Sequence, residues 1–157
     1  MSVADDLLLA ARDLIASGKG RPRQATLARA ASTIYYAMFH HLCRTSADLL
    51  VGSSAADRAS AAWAQVYRSI DHRQARAVCA NTRLMAAFSP DIQDFASRFI
   101  VLQRKRQSAD YDPATRLTKI ELRADLALAE TAIAQFATQP RADRRAFVVL
   151  VVFKQRG

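Results

Sequence analysis

The sequence predicts an all-α fold, a single bundle of about five to six helices, and three observations carry that reading. The 157 residues hold only four glycines and four prolines, and alanine recurs throughout, so the punctuation that hairpins and short strands require is sparse. Apolar residues return at helical spacing over long stretches. Helix start signals also recur along the chain, each a Ser or Asp cap with an acidic residue or a proline behind it. With 51% hydrophobic residues the chain has enough apolar side chain for a real core.

The elements follow in order. Ser2 with Asp5 three residues on has the form of a capping box, and Leu7, Leu8, Ala11, Leu14 and Ile15 keep helical spacing until Gly18 and Gly20, which predicts a helix over 3–17. A basic connector, Gly18 to Arg23, leads into a helix predicted over 22–50, with Pro22 suited to its first turn. In that helix Leu27, Ala31, Ile34, Met38 and Leu42 form the core face. Arg29, Thr33, Tyr36, His40 and Arg44 align as a polar and aromatic stripe on the other side, with Tyr35 and His41 at its edges. Ser53 and Ser54, with Asp57, predict a third helical stretch carrying Trp63, Val66, Tyr67 and Ile70. Asp71 and His72 open a segment running to Met85, in which His72 stands beside Arg73 and Arg76.

Ser89-Pro90-Asp91 caps a helix through Phe95, Phe99 and Leu102 that is expected to end in the charged cluster Arg104-Lys105-Arg106. Asp112-Pro113 repeats the device and predicts a last long helix over 113–138. Its apolar residues, from Leu117 to Phe136, cover more than one stripe, so it is expected to be central or shared with a second subunit. Residues 1–140 then form the bundle. The apolar tail 141–157 is read as a helix packed on the bundle or on a dimer partner, although its β-branched run favours a strand locally.

The 23 basic against 14 acidic residues give a net charge of +9, and nearly all the basic residues are arginine. Guanidinium forks bind phosphate bidentately and stack on bases, so this balance points to a nucleic acid or nucleotide. A genome biased towards arginine and alanine codons produces the same counts, so the charge alone names no ligand. Cys43 and Cys79 lie inside apolar helical patterns, as reduced core cysteines do in a cytoplasmic protein. His40, Cys43 and His72 form no recognised metal-ligand set, and there is no glycine-rich phosphate loop, so neither metal nor cofactor is expected. The acidic N-terminus is unlike a signal peptide, and no apolar run approaches a membrane span.

Two motifs narrow the reading. Arg29-Ala-Ala-Ser-Thr-Ile-Tyr-Tyr-Ala-Met-Phe-His40 resembles the Tyr-Tyr-Ala-x-Phe-His signature in the second long helix of bacterial HEPN-domain proteins, and Arg106-Gln-Ser-Ala-Asp-Tyr111 is similar to the arginine, spacer, Ala-Asp-Tyr element before their last long helix. The resemblance covers roughly residues 5–138. It implies an antiparallel helical bundle, commonly a homodimer, and in many members a metal-independent ribonuclease site across the dimer interface. A role as toxin or defence component, with a cognate antitoxin or regulatory protein, goes with it. In that family a histidine follows the arginine by a few residues; here Asp110 and Tyr111 stand in its place, so cleavage does not carry over with the fold.

A metal-free RNA-cleaving site needs a base for the 2′-hydroxyl, an acid for the leaving oxygen and positive charge on the phosphorane. Arg106 offers the charge, Asp110 a base, Tyr111 a hydrogen-bond donor, and His40 an acid or base from another helix. Arg29, Tyr36, Arg104, Lys105 and Arg73 are the candidates for nucleic-acid contact. Arg106, at the end of a charged run, reads as a long solvated side chain, and Asp110 as an anchor for the turn that follows. The alternative function is a non-catalytic, dimeric helical module that binds another protein. The two differ on whether Arg29, Tyr36, His40 and Arg106 share one accessible cleft.

Overall fold

The computed structural model describes residues 1–56 and 58–156. Among them are eight helices and no strand: α1 Val3–Ala16, α2 Gln24–Leu50, α3 Ser60–Ser69, α4 His72–Ala80, α5 Thr82–Met85, α6 Pro90–Tyr111, α7 Lys119–Thr138 and α8 Arg141–Val152. The all-α class is as the sequence predicts, and the count is slightly higher. One reason is Asn81, whose side chain accepts from Leu84 N and starts the separate turn α5 inside the segment predicted as continuous.

The central helix is α2, not the last long helix. Leu27, Ala30, Ile34, Tyr35, Met38 and Leu42 are each fully buried, and α1, α3, α6, α7 and α8 all touch α2. The core face read from the sequence is therefore the observed one. On α7, by contrast, Leu122 and Phe136 are fully buried while Ile120 is 79% exposed and Leu128 44% exposed, so this helix buries one side.

Two helix ends differ from expectation for local reasons. Asp112-Pro113 does not start α7: the Asp112 carboxylate accepts from Ala114 N at 2.9 Å, closing a turn on itself. The cap is Thr118, whose hydroxyl accepts from Glu121 N at 3.1 Å. Helix α6 runs past Arg104-Lys105-Arg106 to Tyr111. Lys105 there forms ion pairs with Glu121, at 2.7 Å, and with Asp125, which take the charged run into a brace between α6 and α7. The start of α3 is also late, at Ser60, and the proposed capping partner Asp57 lies outside the described residues.

The C-terminal apolar run is helical to Val152 and packs into its own chain, with Phe147 and Val148 fully buried. Phe95, Phe136 and Phe147 form an aromatic knot, with ring centroids 4.6 Å apart for the first pair and 5.5 Å for the second. His41 lies against the rings of Phe95 and Phe136, and burial pushes its pKa down to about 4. Both cysteines are free and buried, and the same cause pushes their thiols up to about 12, which leaves them inert.

One polar contact joins distant parts of the chain. The Gln24 amide donates to Leu117 O at 3.0 Å and accepts from Leu117 N at 2.9 Å, so the start of α2 grips the segment between α6 and α7. No described helix is long and apolar enough to cross a membrane.

Candidate functional site

Tyr35 and Tyr36 are adjacent on α2, about 100° apart, so one turns into the core and the other towards its rim. Tyr35 is fully buried and Tyr36 half-buried. Around them α4 contributes His72 and α6 contributes Gln103 and Arg106, one helical turn apart. Tyr35 Oη lies 2.6 Å from His72 Nδ1. The Gln103 Nε2 amide donates to Tyr35 Oη and to the His72 backbone carbonyl, each at 3.2 Å. The His72 ring stacks on Phe39 with centroids 3.8 Å apart, and its edge meets Tyr36 at 5.9 Å.

Arg106 completes this cluster. Its guanidinium carbon stands 5.3 Å from the Tyr36 ring centre and 5.8 Å from that of Tyr35. The side chain is 18% exposed. This corrects the solvated side chain expected from the sequence: the extension of α6 to Tyr111 carries Arg106 over the α2 rings. Asp110, one turn on, brings its carboxylate to 3.3 Å from Arg106 Nε. The charges attract at that distance, yet the N–H is not aimed at the oxygen, and the buried Nε has no hydrogen-bond partner among the described residues. Gln103 Oε1 is the other buried side-chain atom left without one.

His40 lies on the outer side of the same rings. Its Nδ1 is 2.6 Å from Tyr67 Oη on α3, and its ring centroid is 6.4 Å from that of Tyr36. Burial lowers the pKa of both His40 and His72, and the nearby Arg106 charge lowers His72 further, so both are neutral near pH 7. Burial also raises the pKa of Tyr35 and Tyr67, so both hydroxyls keep their protons.

Of the residues picked out from sequence, Tyr36, His40, Arg106 and Asp110 converge here. Tyr111, 77% exposed, ends α6 at the edge of the group. Arg73 follows His72 directly and is exposed. Arg29 is exposed two turns before Tyr36, about 10 Å along α2, and so flanks the cluster without joining it. Arg104 is exposed on α6. Lys105 is taken up in the α6–α7 brace by its ion pairs with Glu121 and Asp125.

Gln103 and Tyr67 had no signal in the sequence, because one amide in a charged run and one tyrosine on a short helix match no pattern. His72 did have one, through its place beside Arg73 and Arg76, but nothing in the sequence tied it to Arg106. The described residues hold no group of three or more His, Cys, Asp or Glu placed to hold a metal ion. Chemically the arrangement is a largely buried aromatic cluster whose rim, here called the ledge, carries half-buried Tyr36, one part-buried guanidinium and two neutral imidazoles. The cation and the imidazole edges at that rim can hold an anion. Comparison with family models, with curated proteins and with solved structures finds no match to this chain.

Proposed function

We propose that the chain is a HEPN-type module that binds single-stranded RNA across the Tyr36, His72 and Arg106 ledge. The observation that carries this reading is Arg106, a guanidinium laid on two tyrosine rings, 18% exposed, whose terminal nitrogens donate to no described residue. A phosphate oxygen fits the outer guanidinium nitrogens, and a nucleobase can lie against the outer edge of half-buried Tyr36 and the guanidinium plane itself. Exposed Arg29, two turns before Tyr36 on α2, and Arg73, next to His72 on α4, add positive charge in the neighbourhood.

Cleavage is a separate matter, since it needs a group free to take the 2′-hydroxyl proton. Asp110 is drawn against Arg106 and His40 against Tyr67. The proposal is therefore binding, and product analysis on the same RNA decides whether turnover accompanies it.

The test is fluorescence anisotropy with a labelled single-stranded RNA across a salt series. The expected result is affinity that falls steeply as salt rises, and an Arg106→Gln protein that binds about tenfold more weakly. No binding at low ionic strength overturns the reading. The dimeric protein-interaction module would then be the better account, and the exposed Ile120 and Leu128 on α7 and Val101 on α6 favour it. Light scattering reads the oligomeric state directly. Phe147 and Val148 are buried in their own chain, so of the apolar tail only residues such as Val149 and Phe153 stay exposed to a partner, beside Ile120, Leu128 and Val101 on α7 and α6.

A further inference from the structure

Hydrogen positions around His72 follow from one fixed acceptor. The His72 backbone carbonyl can only accept, so the Gln103 side chain must turn its NH2 group towards it, at 3.2 Å; the flipped amide would set two acceptors face to face. With Nε2 so placed, its second proton goes to Tyr35 Oη, also at 3.2 Å. Tyr35 Oη therefore accepts from Gln103. Its own single proton is left for its other neighbour, His72 Nδ1, at 2.6 Å. A nitrogen that accepts carries no proton, so His72 is the neutral tautomer with hydrogen on Nε2.

That Nε2–H has no partner among the described residues, and it belongs to a half-buried ring held flat on Phe39. It shares the Tyr35 and Tyr36 rings with the guanidinium of Arg106, whose Nε–H is also unfilled. Beyond that shielded Nε, which has the Asp110 carboxylate 3.3 Å away, the terminal guanidinium nitrogens of Arg106 and the His72 Nε2–H, from α6 and α4, border the same rings and donate to no described residue.

Resting on the RNA reading above, we propose that His72 serves the ledge as a neutral hydrogen-bond donor: Gln103, acting through Tyr35, fixes its proton on Nε2, and that N–H is offered to a phosphate oxygen bound beside Arg106. Tyr35 and Gln103 are positioning residues in this scheme. The same lock denies His72 the role of base, because its outward nitrogen has no lone pair to accept a proton. A neutral donor beside a fixed cation recognises an anionic oxygen at any pH above the histidine range, without a second charge to desolvate.

The experiment has two stages. Long-range 1H–15N spectra of the free, full-length protein at pH 7.5 report the tautomer of each histidine. His72 is expected to show a protonated Nε2 and a bare Nδ1, and either Tyr35→Phe or Gln103→Leu is expected to mix its tautomers. A protonated Nδ1 or an imidazolium in the parent protein overturns the proposal whatever the ligand, and so does a tautomer that survives both substitutions in folded protein. In the second stage the parent, His72→Ala and His72→Gln are titrated with single-stranded RNA and, separately, with inorganic phosphate. The glutamine amide reaches the place of Nε2 with a donor but cannot shuttle a proton. His72→Gln should bind RNA within about threefold of the parent, and His72→Ala about tenfold more weakly.

If RNA binds both variants as well as it binds the parent, the donor role is wrong and the RNA reading stands. If phosphate shifts the Nε2–H resonance while RNA does not bind, the RNA reading fails and the donor role stands. A resonance indifferent to both probes overturns both.

Discussion

Arg106 shows how one residue changes meaning between sequence and fold. In the sequence it closes a run of three cations; in the structure it covers Tyr35 and Tyr36 with a side chain 18% exposed. Replacing it with alanine removes both a desolvated cation–π contact and the packing of its aliphatic stem. Arg106→Ala is expected to lower stability by about 1–2 kcal/mol in addition to weakening RNA binding. Asp110, 30% exposed and joined to Arg106 without a well-aimed hydrogen bond, should cost less than about 1 kcal/mol as Asp110→Ala. Thermal unfolding of the two variants side by side checks the order, which is the reverse of what their sequence positions imply. Tyr36 and His40 were legible because helical periodicity places them on one stripe, and Arg106 because a motif marks it. The partners that set proton positions were not legible, since Gln103 and Tyr67 reach the cluster through tertiary packing alone.

At the scale of elements, the period of the apolar residues identified α1, α2, α6 and the bulk of α7, while the start of α7 went astray because a cap-like pair closes a turn instead. Asp112-Pro113 reads as the helix start in the sequence, but the structure caps the helix at Thr118. Asp112 uses its carboxylate to close a turn, whereas Thr118 places its hydroxyl on Glu121 N. Thr118→Ala should therefore destabilise the protein by about 1 kcal/mol, as loss of a helix cap does, and Asp112→Ala by less. Urea unfolding midpoints measure the difference. The tail posed a similar contest. Its β-branched residues favour a strand, but the described residues form no sheet to receive one, and a helix delivers Phe147, Val148 and Val151 to the same buried side.

For the whole molecule the shared property is the burial of all three histidines in neutral form. Burial makes His40, His41 and His72 harder to protonate in the folded state, and His41 does not gain its proton until about pH 4. An unfolded histidine takes up its proton near pH 6.5, so between these values the unfolded chain binds more protons and stability falls as pH falls. The contribution is complete above about pH 6.5 and is lost towards pH 4, with about 1–3 kcal/mol attributable to His41. Calorimetry from pH 7.5 to 4.5 should show this decline, and His41→Gln should flatten it. A melting temperature insensitive to pH over that range would contradict the buried neutral imidazole.

The grip of Gln24 on Leu117 reaches across 93 residues of chain. Leu117 sits between helices, where a backbone amide ordinarily trades its proton with solvent as fast as the loop breathes. Here that proton is held by a side chain whose own position depends on the first turn of α2. Leu117 should thus exchange its amide hydrogen far more slowly than its neighbour Arg116, and a Gln24→Ala protein should lose that protection while the interior of α2 keeps its own. Opening at one end of the bundle would then be a joint event of two segments remote in sequence, visible as a single exchange unit.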